Sequence, residues 1–210
     1  MAFYYFMNME RLSMDIIQDH LDRMTDTNIG DDDPFMDGPM FENNLKNGYV
    51  VVQQLTVLFE SFLNSILAYC VKYRGEVLLK SSIDEKLEII FMHFKKDFAV
   101  IKGNNLWSVY RKNNQIRNEF VHYKKTLLGV TGGIPSFSFA KTDISTYFTR
   151  SSLRKVYADH IALTELIATE LGLIVDKDVS IFSNTGMGLN LHYVNPKTDD
   201  CDYYIFQQIQ

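Results

Sequence analysis

The stretch from Asn43 to Tyr73 decides the fold, and it reads NNLKNGYVVVQQLTVLFESFLNSILAYCVKY. Its apolar residues recur mostly at steps of three and four, which is the spacing of one face of an α-helix. They are Leu45, Tyr49, Val52, Leu55, Phe59, Phe62, Leu63, Ile66, Leu67, Tyr69 and Cys70. The density and length of this pattern predict a long central helix, with Gly48 as a candidate start.

Four further segments have helical spacing. An apolar stripe predicts a first helix from Met9 to Met24. Ser82-Ile83-Asp84-Glu85 is a capping box, so a helix begins there. Two more are expected from about Asn105 to Val121, and from Ser151 or Ser152 to Leu171, where Gly172 ends the chain's last helix. About five helices predict a mainly α protein, an up-and-down helical bundle.

Three segments break the helical pattern. Residues 31–39, DDDPFMDGP, predict a solvated acidic loop, because Phe35 and Met36 occupy positions where a calcium loop needs a ligand and a glycine. Residues 127–141 are typical of a loop or a short hairpin. The β-prone runs 179–182, 189–194 and 203–209 predict a small C-terminal antiparallel β appendage. We therefore expect a helical domain over residues 1–172 and a short β-rich appendage over residues 173–210.

Composition excludes several classes of protein. The 210 residues are 46% hydrophobic with 4 Pro and 11 Gly, so a disordered or collagen-like chain is excluded. The two cysteines, Cys70 and Cys201, have no metal-ligand spacing, and we expect no metal site and no disulfide framework. The N-terminus lacks the features of a signal peptide, and no run of ~18 uninterrupted apolar residues occurs. These features predict a cytoplasmic protein without a membrane partner.

Residues 95–125 differ in charge from the rest of the chain. They hold eight Lys or Arg against two acids, a net +6, which leaves −11 elsewhere in a chain of net charge −5. Such a basic segment favours a polyanion partner, here RNA, because neutralised phosphates drive affinity. The alternative is a solvated helix face. The candidate RNA-binding residues are Lys95, Lys96, Arg111, Lys112, Lys124 and Lys125.

Within this basic segment Arg117 is followed by Asn118 and, five residues after the arginine, by His122. The pattern resembles the R-N-x-x-x-H signature of the HEPN superfamily, the α-helical nucleotide-binding and ribonuclease domains of higher eukaryotes and prokaryotes. The motif closes the fourth predicted helix, and the segment FESFLN at residues 59–64 looks like the family's central helix. The resemblance covers residues 43–171. Arg154 and His160 match the spacing a second time, but His160 lies on an apolar stripe, which favours a structural role.

The resemblance implies metal-independent RNA cleavage without a cofactor. His122 is then the general base or acid at the ribose 2′-hydroxyl, and Arg117 binds the charge of the scissile phosphate. Asn118 is expected to orient the histidine or a phosphate oxygen. Glu60 and Tyr123 are candidates for side chains that support these three.

Helix geometry limits how these residues can meet. Five residues at 100° each place Arg117 and His122 about 140° apart, whereas Asn118 and His122 share a face. Either the helix ends or distorts near Val121, or two copies of the chain meet so that one arginine complements the other histidine. The resemblance implies the second arrangement, and we expect a two-fold homodimer.

The functional interpretation has alternatives. By analogy the ribonuclease would be a toxin or a phage-defence effector, and a toxin implies an antitoxin protein as a partner. A non-catalytic RNA- or nucleotide-binding module and a purely structural interaction domain remain open. His122 as an ordinary histidine at a helix C-terminus, Arg117 paired with Glu119 or Asp97, and Glu60 as a satisfied helix glutamate also remain open.

Overall fold

The computed structural model describes residues 6–7, 9–26, 38–71, 80–122, 129–131, 134–136, 138–139, 141–175, 182–183, 191–194 and 201–202. Among these residues the protein is mainly helical, with seven helices, which confirms the predicted α class. The helices are α1 (Met9–Asp22), α2 (Gly38–Tyr69), α3 (Ile83–His93), α4 (Ala99–Lys102), α5 (Asn105–Val121), α6 (Ile144–Tyr147) and α7 (Arg150–Leu171).

Short strands of two to four residues account for the described β structure. The strands are β1 (Phe6–Met7), β2 (Gly129–Thr131), β3 (Ile134–Ser136), β4 (Ser138–Phe139), β5 (Thr142–Asp143), β6 (Leu173–Val175), β7 (Phe182–Ser183), β8 (Leu191–Val194) and β9 (Cys201–Asp202). Residues 127–141, expected as a loop or hairpin, contribute β2, β3 and β4, and both β2–β3 and β4–β5 are antiparallel pairs. Near the C-terminus β8 pairs antiparallel with β6 and with β9, while β1 pairs with β7. The run 203–209 lies outside the described residues.

The capping box at the start of α3 forms as its sequence predicts. The Glu85 amide donates to Ser82 Oγ at 3.3 Å, and the Ser82 amide donates to Glu85 Oε2 at 2.7 Å. Two backbone donors that a helix N-terminus leaves without partners are thereby satisfied. The hydrogen bonds also hold the pKa of the Glu85 carboxyl below its usual value.

The chain divides into two compact units. Unit 1 comprises Met1–Ser13, Val57–Asn104 and Ala162–Gln210, and unit 2 comprises Met14–Thr56 and Asn105–Ile161. The predicted boundary at residue 172 is not one of these divisions and stays a prediction. Buried apolar residues of unit 1 include Leu63, Ile66, Leu67, Leu87, Ile90, Phe91, Ile101, Leu163 and Ile167. Those of unit 2 include Ile17, Leu21, Val51, Val52, Leu55, Tyr110, Ile116, Phe148 and Leu153.

The start of the central helix differs from the prediction. Helix α2 begins at Gly38, so Gly48 is not its start, and Gly38 and Pro39 are helical rather than part of the acidic loop. Proline is tolerated there because the first turn of a helix needs no amide donor. Gly48 is buried within unit 2, and a Cβ on it would lie 2.9 Å from Phe148 Cγ and 3.2 Å from Leu153 Cδ1. Close packing rather than helix initiation therefore explains this glycine.

Substituting Gly48 by alanine should destabilise the protein. The new methyl group would overlap the buried Phe148 ring, and overpacking of this kind typically costs ~1–3 kcal/mol. The intrinsic preference of helices for alanine, worth up to ~1 kcal/mol, offsets only part of that cost. Chemical denaturation measures the change in the free energy of unfolding. Gly103→Ala is the matched control, because the nearest atom to its added Cβ is Ala99 O at 3.5 Å; equal stability losses in the two variants would contradict the packing argument.

Within the described residues one helical stretch, Met40–Ala68 of α2, is long and apolar enough to cross a membrane by length and composition. Half of the 18 residues that meet the hydropathy criterion are buried inside the protein. The core helix of a folded protein meets the same criterion. The finding is therefore weak evidence for a membrane span.

Candidate active site around Arg117

Helix α5 carries the motif, and its buried face fixes the helix within unit 2. Tyr110 is buried and stacks on Trp107 with ring centroids 5.1 Å apart. Three residues further on, the buried Asn113 accepts a hydrogen bond from Tyr147 Oη at 3.1 Å through its Oδ1. Ile116, fully buried, directly precedes Arg117. These contacts determine which way the last turns of α5 face, and with them the side chains of the motif.

Two neutral amides hold the guanidinium of Arg117. Its Nε donates to Gln53 Oε1 on α2 at 3.1 Å, and its Nη1 donates to Asn118 Oδ1 at 2.9 Å. No carboxylate forms an ion pair with Arg117 in the described part of the chain, so neither Glu119 nor Asp97 neutralises it there. A half-buried guanidinium that is fixed in this way and has no carboxylate partner among the described residues has the chemistry of an anion-binding site.

His122 lies just beyond the end of α5 and is exposed. Its backbone amide still donates to Asn118 O at 2.9 Å, so the hydrogen-bonding pattern of the helix reaches the histidine amide although α5 ends at Val121. The Asn118 carboxamide oxygen bonds to Arg117. Within one chain, an undistorted helix leaves Arg117 and His122 about 140° apart around the helix axis.

Apolar side chains are exposed close to the motif in unit 2. Val121 is 46% exposed and Tyr49 is 38% exposed. The Tyr49 ring packs against Phe120 with centroids 5.4 Å apart, and Phe120 stacks nearly parallel on the buried Phe148 at 5.4 Å. The end of α5 therefore packs on a cluster of aromatic rings and has an exposed apolar surface next to His122.

The two supporting candidates have different outcomes. Glu60, in unit 1, accepts a hydrogen bond from Lys86 Nζ at 2.6 Å through its Oε1. The Lys86 side chain is fully buried, whereas that of Glu60 is 45% exposed. Glu60 thus has a structural partner that the sequence did not reveal. Tyr123 lies outside the described residues.

The basic candidates are exposed wherever they are described. Lys95 and Lys96 follow α3 in unit 1, and Lys95 has a positive φ of 54° at this helix end. Arg111 and Lys112 lie on α5 in unit 2, with their cationic groups 5.9 Å from the ring centres of Trp107 and Tyr147 respectively. The two lysines of unit 1 and the two basic residues of unit 2 are thus open to solvent, as an RNA contact requires. Lys124 and Lys125 lie outside the described residues.

The second match to the motif spacing has structural partners. Arg154 Nη2 donates to Asp22 Oδ1 at 2.8 Å. His160 is 1% exposed, and its Nδ1 lies 2.8 Å from Val156 O, which only a protonated Nδ1 can bond. Burial lowers the pKa of His160 to about 4. A buried neutral imidazole without access to solvent is not placed to act on RNA.

Gln53 was not among the site residues predicted from the sequence. Its available signal was the Gln53-Gln54 pair, which interrupts the apolar run of the central helix.

Within the described residues no group of three or more His, Cys, Asp or Glu could hold a metal ion. In comparisons with known proteins, no family model, no curated protein and no solved structure matches the chain. The HEPN resemblance therefore rests on the motif and its helical context.

Proposed function

We propose that the protein is a metal-independent endoribonuclease of HEPN type, a cytoplasmic toxin or phage-defence effector built on a HEPN-like bundle with a small C-terminal β appendage. The observation that carries the proposal is Arg117, a half-buried guanidinium held by two neutral amides with no carboxylate partner in the described chain. Such a group suits the negative charge of an RNA phosphate.

His122 supplies the acid–base chemistry. Imidazole is the side chain suited to proton transfer near neutral pH, and His122 is exposed at the end of the helix that carries Arg117. As general base it takes the proton of the ribose 2′-hydroxyl. The 2′-oxygen then attacks the adjacent phosphorus, the bond to the 5′-oxygen breaks as that oxygen takes a proton from water, and the products are a 2′,3′-cyclic phosphate and a 5′-hydroxyl. Arg117 binds the phosphate oxygens as charge develops on them.

A homodimer brings the two groups together in the proposed enzyme. The His122 amide donates a hydrogen bond to Asn118 O, as in a helix, and helical spacing puts Arg117 and His122 on different faces of one chain. This supports a site shared between two chains. The exposed Tyr49 and Val121 offer apolar surface beside the motif that a second copy would cover. An antitoxin protein could cover the same surface.

Substitution of the two central residues tests the enzyme. In excess EDTA, His122→Ala should reduce cleavage of labelled tRNA and mRNA by about 10²–10⁴-fold, the usual contribution of a general base or acid. Its RNA affinity should stay at the wild-type level, whereas Arg117→Ala should lose both activity and affinity. His93→Ala, which removes an exposed histidine at the end of α3, is the control and should remain active.

A non-catalytic RNA-binding module is the second candidate, because the same guanidinium, which pairs with no carboxylate in the described chain, would serve binding alone. In that case the wild type binds RNA, with an affinity that falls steeply as salt rises, but cleaves none. Equal cleavage by wild type and His122→Ala would contradict the proposed enzyme. Absence of any salt-dependent RNA binding would contradict both candidates and leave the structural interaction domain.

A further inference from the structure

Gln53 is a polar residue among buried apolar residues of the central helix. Its neighbours Val51, Val52 and Leu55 are fully buried, and its own side chain reaches across to α5 to accept the Arg117 Nε–H. Its Nε2 is buried and has no hydrogen-bond partner within the described residues. A buried amide nitrogen without an acceptor lowers stability, and this cost offsets what the bond from Arg117 Nε to Gln53 Oε1 contributes to the fold of unit 2. The glutamine therefore needs an explanation other than stability.

The hydrogen bonds to Arg117 determine which part of the guanidinium stays available. Of its five N–H donors, the one on Nε is taken by Gln53 and one on Nη1 is taken by Asn118. The edge formed by Nε and Nη2 cannot then bind two oxygens of one phosphate. The remaining donors belong to the terminal nitrogens, Nη1 and Nη2. An oxyanion must approach from that end of the side chain.

The chemical type of the residue at position 53 matters as much as its reach. A glutamate there would hold Arg117 through the same hydrogen bond, but it would also cancel the positive charge and repel a phosphate. A leucine would leave the charge but provide no acceptor for Nε. Only an uncharged acceptor both fixes the guanidinium and preserves its charge.

We infer that Gln53 is a positioning residue, which orients Arg117 so that the terminal nitrogens bind an internucleotide phosphate of RNA end-on. The inference rests on the proposed function for its ligand. It concerns the binding of the phosphate, however, and is tested separately from cleavage.

The test compares Gln53→Leu, Gln53→Glu and the control Gln54→Leu, which makes the same change at the neighbouring half-buried residue. The binding probe is a single-stranded RNA with a 2′-O-methyl group on every ribose, which cannot be cleaved because it lacks the attacking hydroxyl. Hydrogen exchange of the Arg117 Nε–H, followed by NMR and assigned with Arg117→Lys, reports whether the guanidinium is held. Thermal unfolding reports stability.

Gln53→Leu should speed exchange of the Arg117 Nε–H and weaken binding of the methylated RNA by about tenfold or more, without lowering the midpoint of thermal unfolding. Gln53→Glu should keep the Nε–H protected and weaken binding further. Gln54→Leu should match the wild type in exchange and in affinity.

The inference would be overturned if Gln53→Leu kept the wild-type affinity or left exchange of the Arg117 Nε–H unchanged. An affinity loss that only follows a loss of thermal stability would also overturn it. Cleavage of unmodified RNA is followed in parallel. If the wild type cleaves RNA and the Gln53 substitutions change neither binding nor exchange, the positioning role is removed and the ribonuclease is kept. If the wild type cleaves no RNA but binds the methylated RNA more tightly than Gln53→Leu does, the ribonuclease is removed and the positioning role is kept. A wild type that binds no RNA removes both.

Discussion

Mixing Arg117→Ala protein with His122→Ala protein, each inactive alone, should restore RNA cleavage to about a quarter of the wild-type rate. If subunits exchange at random, about half of the dimers contain one chain of each kind. A mixed dimer then has one site with both substituted residues and one site with an intact arginine from one chain and an intact histidine from the other. The expected change, from no detectable activity to an easily measured rate, makes this the most sensitive test of the proposed shared site.

The control for this experiment is a mixture of His122→Ala with His122→Asn, which contains no intact site and should stay inactive. Subunit exchange is verified with chains of different mass tags. If exchange occurs and activity does not return, Arg117 and His122 act within one chain, and the helix end must rearrange when RNA binds.

Removing Glu60 should strongly destabilise the protein, because it leaves the buried Lys86 without its partner. The Lys86 side chain has no exposed surface, and its Nζ lies 2.6 Å from Glu60 Oε1. Breaking a buried pair from one side typically costs about 3–5 kcal/mol. Since Glu60 is 45% exposed and water reaches the pair from its side, we expect about 2–3 kcal/mol for Glu60→Ala in chemical denaturation.

Lys86→Met is the matched variant. Methionine fills a similar space and removes the charge that needs the carboxylate, so its loss of stability should stay within about 1 kcal/mol. The double variant should be more stable than Glu60→Ala. Unchanged stability in Glu60→Ala would contradict the structural role of Glu60.

The sequence predicted those features that depend on residues close together in the chain. The periodicity of the long helix, the capping box at Ser82 and the end of the last helix at Gly172 are local patterns. The start of α2 at Gly38 was not predictable in this way, because Gly48 is required by its contact with Phe148, a residue one hundred positions away.

Candidate site residues followed the same division. The motif placed Arg117, Asn118 and His122 at the end of a helix, where the structure also has them. The partners of these and other residues did not follow from local pattern. Gln53 meets Arg117 across 64 positions, and Lys86, of a residue type almost never fully buried, meets Glu60 across 26. Contacts of this kind depend on packing between helices, and no local rule predicts them.

The chemistry of the RNA ends tests the central claim most directly. Wild-type protein is incubated with labelled RNA in excess EDTA, and the termini of the fragments are identified. We predict a 2′,3′-cyclic phosphate on the upstream fragment and a 5′-hydroxyl on the downstream fragment, because in the proposed mechanism the ribose 2′-oxygen is the nucleophile and no metal takes part. Fragments with a 3′-hydroxyl and a 5′-phosphate, or cleavage that appears only when divalent metal is restored, would contradict the account.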